Sequence, residues 1–248
     1  MKPREKKPEN LKPEDRLIVA LDYPCWAEAE KLVQLLPEVR FFKVGLELYL
    51  ASGGQAVGRL KELGKDVFLD LKFHDIPNTV GRACRQAVEQ GAAIFNLHAS
   101  GGRAMLQQGV QAARESAAEL GRPVPLVIAV TVLTSLDEQS LQEIGLEQVE
   151  KTVLNWARLA EEAGMDGVVA SPQEIALIRK NCRPDFKIIC PGIRPTWAAV
   201  NDQKRITTPR EAISRGADYL VVGRPITAAA DPRQAALRVL EEIKKGNT

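Results

Sequence analysis

Histidine is scarce in this chain: His74 and His98 are the only two among 248 residues. That excludes a multi-histidine metal centre. Cysteine is little better represented, and Cys25, Cys84, Cys182 and Cys190 form no C-x-x-C pair. Reduced thiols in a cytoplasmic protein are the simplest account of such spacing. No apolar run approaches the length of a membrane span, so no membrane partner is expected. A charge of one sign is also missing. Net charge is +2, and the first sixteen residues hold six Lys/Arg against four Asp/Glu, which leaves 28 of each in the remainder. Without a basic field, nucleic acid is not an expected partner either. Residues 1–15 are rich in Lys, Glu and Pro with no apolar centre. They read as a flexible charged extension rather than a secretory leader, followed by one domain over residues 16–248.

What the chain does have is one pattern repeated eight times. Short apolar runs at Leu17–Leu21, Phe41–Val44, Val67–Leu71, Ala93–Leu97, Leu126–Val130, Gly167–Ala170, Lys187–Cys190 and Tyr219–Val222 alternate with stretches of helical periodicity. Glycine closes several of those helices (Gly64, Gly91, Gly121, Gly164, Gly216). Alternating strands and helices with continuously apolar strands imply a parallel sheet covered by helices. Eight units favour a closed (β/α)8 TIM barrel over an open α/β sheet. No G-x-G-x-x-G follows the first strand, which weakens a dinucleotide-binding reading.

The densest chemistry lies in Asp70-Leu71-Lys72-Phe73-His74-Asp75-Ile76-Pro77-Asn78-Thr79. It follows Val67-Phe68-Leu69, so it reads as a strand running out into a loop. Strand alternation puts Phe68, Asp70 and Lys72 on one face and Val67, Leu69 and Leu71 on the other. A carboxylate and an ammonium on an apolar strand are costly to bury unless they pair or act. D-x-K alone is equally compatible with a solvated ion pair. Barrel active sites, however, form where the strands end, and polar residues gather at those ends here: Asp22, Lys43, Asp70, Lys72, His98, Thr131, Thr134, Ser171, Arg194 and Arg224. Singly they are unremarkable; Ser171 before Pro172 reads as a helix cap and His98 as a structural histidine.

Strands seven and eight run into Pro191-Gly192-Ile193-Arg194-Pro195 and Val222-Gly223-Arg224-Pro225-Ile226. Many barrels hold phosphate in this region on glycine N–H groups, and Arg224 adds a fork of donors suited to a dianion. The polar loop from Gly192 to Thr208, with Asp202-Gln203-Lys204-Arg205, is long enough to act as a lid.

Taken in order, Val19-Ala20-Leu21-Asp22, Lys43-Val44-Gly45, the Asp70–Thr79 string, His98-Ala99-Ser100-Gly101-Gly102, Val130-Thr131-Val132-Leu133-Thr134-Ser135, Pro191-Gly192-Ile193-Arg194 and Val222-Gly223-Arg224-Pro225 resemble bacterial orotidine 5′-monophosphate decarboxylases. The resemblance runs from about residue 16 to 240. It implies loss of CO2 from orotidine 5′-monophosphate to give UMP, in a cytoplasmic homodimer, with no metal and no cofactor. It implies a charge array of Lys43, Asp70, Lys72 and Asp75, with Asp75 and Thr79 serving the partner's site. Asp22 and Lys43 would hold ribose, and Thr134 with Ser135 would lie by the pyrimidine. Arg224 and Gly223 would take the phosphate, Gln203 would reach in from the lid, and Arg194 would stand at the lid's base. The rest of the string, Leu71, Phe73, His74, Ile76, Pro77 and Asn78, counts as substrate-binding on the same ground.

Two other readings stay open at this point. Mg²⁺-dependent sugar-phosphate lyases and decarboxylases of related barrels share D-x-K-x-x-D, although Ile76-Pro77-Asn78-Thr79 and Leu133-Thr134-Ser135 favour the nucleotide enzyme. A non-catalytic phosphate-binding barrel would lack a use for the intact Asp70, Lys72 and Asp75.

Overall fold

A computed structural model describes residues 11–146, 148–198 and 207–246. Eight parallel strands form one closed barrel: β1 (Leu17–Leu21), β2 (Phe41–Gly45), β3 (Asp66–Phe73), β4 (Ile94–His98), β5 (Leu126–Val130), β6 (Gly167–Val169), β7 (Lys187–Cys190) and β8 (Tyr219–Val222). Each pairs with its sequence neighbours, and β8 closes on β1 through Leu17 opposite Leu220 and Val19 opposite Val222. The expected (β/α)8 TIM barrel is the observed fold. Strand positions agree with the apolar runs to within two residues at either end.

Strand parity divides the core in two. Leu17, Val19, Phe42, Val44, Val67, Leu69, Phe95 and Leu97 point outward into the layer shared with the helices. Ile18, Ala20, Phe41, Phe68, Ile94, Ile128, Ile189, Tyr219 and Val221 fill the barrel interior. Burial on both faces is why these strands carry almost no polar residue until their C-terminal ends. The expected face assignment of β3 holds, since Leu71 and Phe73 pack on the outer layer while Phe68 lies inside.

Glycine ends five helices with positive φ, at Gly64, Gly91, Gly121, Gly164 and Gly216, and each donates its N–H to a carbonyl of the last turn. Helix Pro77–Glu89 starts with proline at its first turn, where a missing N–H costs nothing. Four short α-helices among the described residues fall outside the periodicity read from sequence: Pro13–Arg16, Leu46–Ala51, Glu138–Glu143 and Arg224–Thr227. Of the expected extension, residues 1–10 lie outside the described residues and the remainder docks under the barrel. Leu11 packs on the interior cluster, and Arg16 donates to the Leu11 and Ala217 carbonyls at 3.3 and 3.1 Å. Asp15 bonds Arg40 at 2.7 Å, which in turn bonds Asp66 at 2.6 Å.

Candidate active site

Climbing the inside of the barrel, the residue type changes abruptly. Ala20, Phe41, Phe68 and Ile94 belong to the apolar interior. The next inward positions of the same strands are Asp22, Lys43, Asp70 and Asn96. The charged side chains form a continuous alternating chain. Lys43 Nζ lies 3.0 Å from Asp22 Oδ1 and 3.5 Å from Asp70 Oδ2, and Lys72 Nζ lies 2.7 Å from Asp70 Oδ1. Asp70 and Lys43 are shielded, with side chains 13% and 12% exposed, whereas Asp22 at 63% opens to solvent. Gly45 leaves room for this chain, since a Cβ there would stand 3.1 Å from Lys43 Nζ.

Burial pushes the Asp70 carboxyl upward, but the ammonium groups of Lys43 and Lys72 and hydrogen bonds from Lys72 and Asn96 outweigh it. The net result is a pKa below the ordinary carboxylate value, so Asp70 is an anion at neutral pH. The His98 pKa is lowered as well, by burial first and then by the neighbouring His74 and Lys72, which for an imidazole favours the neutral ring. Its ring faces that of His74 at 5.5 Å.

These side chains border a cavity of about 150 Å³. Phe68, Val169 and Val221 line it from the apolar interior, Lys43, Asp70 and Lys72 from one side, and Val132, Leu133, Thr134 and Pro191 from the other. A ligand there meets charge on one flank and apolar surface elsewhere. The cavity continues past Ser135 toward Gly192 and Thr207. Ile193 pairs with Thr207, and the buried Arg194 donates its N–H to the Thr207 carbonyl at 3.1 Å, which closes the base of the long loop. Gly223 caps the short helix that begins at Arg224, and the Gly223 α-carbon lies beside Asp22 and Ala20.

The remaining expected site residues are placed less uniformly. Leu71 and Phe73 pack outward, Phe73 at 6.1 Å from the Phe95 ring, and do not line the cavity. His74, Asp75, Ile76, Pro77, Asn78 and Thr79 are exposed where β3 gives way to its helix. Asp75 accepts from the Ile76 N–H at 2.6 Å and does not join the Asp22–Lys43–Asp70–Lys72 chain within the subunit. Gln203 lies outside the described residues. Ser171 does not cap the helix Ile175–Asn181 itself. It opens the turn before it, where the Glu174 carboxylate accepts from the Ser171 N–H at 2.8 Å.

One residue of the network escaped the sequence reading. Asn96, 1% exposed, donates to Asp70 Oδ1 at 2.7 Å and accepts from the Lys72 backbone N–H at 2.8 Å. Its signal was a lone amide in the otherwise apolar run Ile94-Phe95-Asn96-Leu97.

Comparison with known proteins agrees with this geometry. The model of the Orotidine 5′-phosphate decarboxylase / HUMPS family matches residues 15–239. An orotidine 5′-phosphate decarboxylase of Moorella thermoacetica is 56% identical over 233 residues, covering 93% of this chain and 92% of the relative. One from Syntrophomonas wolfei is 48% identical over 239 residues, covering 95% and 100%. The crystal structure of orotidine 5′-phosphate decarboxylase from Lactobacillus acidophilus superposes with a TM-score of 0.83 at 35% identity, covering 92% of this chain and 99% of that one. A barrel with this charge chain at its mouth, matched along almost its whole length, belongs to the orotidine 5′-phosphate decarboxylase / HUMPS family.

Proposed function

We propose that this protein removes CO2 from orotidine 5′-phosphate to give UMP, the closing step of pyrimidine nucleotide synthesis, as a carboxy-lyase. The alternating Asp22–Lys43–Asp70–Lys72 chain, set beside an apolar-floored cavity, is the observation that carries the reading. Breaking the bond from pyrimidine C6 to its carboxylate releases CO2 and leaves an electron pair on C6. Lys72 Nζ supplies positive charge as that pair develops and then gives it a proton. Asp70 holds that side chain in place, accepting from Lys72 Nζ at 2.7 Å. Water restores the lysine's proton after product leaves.

The other roles are those the resemblance implies. Asp22 and Lys43 offer an acceptor and a donor to ribose hydroxyls, and Thr134 lies on the cavity wall opposite the charge. Arg224 with the Gly223 N–H takes the phosphate at the start of the short helix after β8, and Gln203, outside the described residues, is assigned to the same group by the resemblance alone. Asp75 and Thr79 serve a neighbouring subunit's site in a homodimer. Supporting this are their exposure, the absence of Asp75 from its own subunit's charge chain, and the exposed apolar side chains of Leu46, Leu50 and Ile76 after β2 and β3. Balanced charge and free cysteines suit a cytoplasmic enzyme.

The direct test is to add orotidine 5′-phosphate to purified protein and follow its ultraviolet absorbance, with and without EDTA. Conversion to UMP at an unchanged rate in EDTA is expected. A metal requirement would move the assignment to the Mg²⁺-dependent lyases, and no absorbance change would leave a phosphate-binding barrel.

A further inference from the structure

The ladder between β3 and β4 breaks at the site. Phe68 and Leu69 pair with Ile94 and Phe95, but the next pair is Phe73 with Leu97, so β3 spends two more residues than β4 over the interval. Within that bulge Lys72 has φ +53°, the only non-glycine with positive φ among the described residues. A left-handed lysine is strained and persists only where its surroundings over-determine it. A bulge also leaves a backbone N–H without its rung.

The Asn96 side chain answers both problems. Its Oδ1 accepts from the Lys72 N–H at 2.8 Å, standing where a strand carbonyl would otherwise be. Its Nδ2 donates to Asp70 Oδ1 at 2.7 Å, the same oxygen that bonds Lys72 Nζ at 2.7 Å. One buried amide therefore holds the main chain of Lys72 and the carboxylate that pairs with its side chain. We propose that Asn96 is a positioning residue for the decarboxylation, fixing the Lys72 ammonium at C6 by clamping the bulged backbone and the Asp70 carboxylate together. The proposal rests on the decarboxylase reading for its consequence, not for its geometry. The charged and titratable groups around the amide are Lys43 on β2, Asp70 and Lys72 on β3, His98 on β4 and the His74 ring, tilted against it at 5.5 Å.

Two variants test it in the complete protein. Asn96→Ala removes the clamp without touching substrate, so kcat should fall roughly 10²-fold, the scale of an ångström misplacement, with KM within threefold. Asn96→Asp keeps the acceptor for the Lys72 N–H but sets two carboxyl groups in hydrogen-bond contact, which must share a proton. Its kcat should recover at acid pH, where that proton imitates the amide donor. It should fall along a new alkaline limb that wild type lacks. Substrate-independent evidence comes from a crystal structure of Asn96→Ala, in which Lys72 should leave the left-handed region.

The proposal is overturned if Asn96→Ala keeps kcat within threefold or changes only KM. It is equally overturned if the two variants lose activity alike at every pH, if both fail to fold, or if Lys72 keeps its φ without the amide. Wild type that leaves orotidine 5′-phosphate untouched sinks the decarboxylase reading alone, and the backbone result then decides the clamp.

Discussion

The two halves of the barrel mouth are built from different materials. Every ionisable side chain lining the cavity among the described residues, Lys43, Asp70 and Lys72, comes from β2 and β3. With Asp22 and Asn96 they form one network of hydrogen bonds and ion pairs from the end of β1 to β4. The ends of β5 to β8 contribute Val130, Val132, Leu133, Thr134, Val169, Pro191 and Val221, and then the glycine turns at Gly192 and Gly223. The first half is cross-linked and shielded; the second is apolar and carries the long loops. The contrast divides the labour. On the proposed reading, charge pre-positioned for bond breaking sits on the strands, and recognition of the rest of the ligand falls to the segments that follow β7 and β8.

The sharpest way to break that division is at Lys72. Lys72→Ala removes the cation and the proton source together, so kcat should drop by roughly 10⁴-fold or more while the protein stays folded and binds UMP. A loss below tenfold would take Lys72 out of the chemistry. The same variant sharpens the subunit question. Mixed with Asp75→Ala protein, it should regain activity through hybrid dimers that carry one site with both lesions and one with neither. No regain after verified subunit exchange would confine Asp75 to its own subunit.

The loop half is expected to respond less. Arg224→Ala should lower kcat/KM by roughly 10³-fold, beyond the roughly 10- to 150-fold of one lost charge-assisted hydrogen bond, because the proposed phosphate grip also contributes in the transition state. Steady-state kinetics on orotidine 5′-phosphate and on unphosphorylated orotidine measure it. Were Arg224→Ala as damaging as Lys72→Ala, the two halves would not be separable.

Glu174 gives the smallest effect, and on stability rather than rate. Burial raises its carboxyl to about 7. The folded state therefore binds this proton more tightly than the unfolded chain, and its stabilising contribution, complete below about pH 4, is lost as pH rises through 7. Glu174→Gln keeps an acceptor for the Ser171 N–H and abolishes that loss. It should be more stable than wild type at pH 8 by roughly 1–3 kcal/mol, with the advantage vanishing near pH 4 and kcat little changed. Thermal melts across that range check it. A fall in kcat beyond tenfold would bring Glu174 into the loop half's function.

How much of this was legible beforehand depended on length and repetition. The strands and long helices were readable because each repeats an apolar pattern over several residues, and parity placed Phe68, Asp70 and Lys72 on one face, where they line the cavity. Helices Leu46–Ala51 and Arg224–Thr227 were not, being too short to show a period. The bulge was invisible for a different reason: alternation survives through β3, so the side chains fall as expected while the backbone at Lys72 does not. Asn96 depended on that bulge, since the amide has a partner on β3 only because the ladder fails there. Leu71 and Phe73 came in with their neighbours in the string, and parity already pointed them outward.

The closely packed interior beneath the cavity has one more consequence. Ile18, Phe41, Phe68, Ile94, Ile128 and Ile189 stop the barrel like a cork, with Leu11 pressed on the stack. The site is thus a well with a single door. Substrate enters, and both the gas and the nucleotide leave, past the same rim. A nucleotide held at that rim by its phosphate stands between the deep end and bulk water, so the small linear molecule formed at the bottom must slip out first or wait for it. The departures of the two products are thereby tied to one passage.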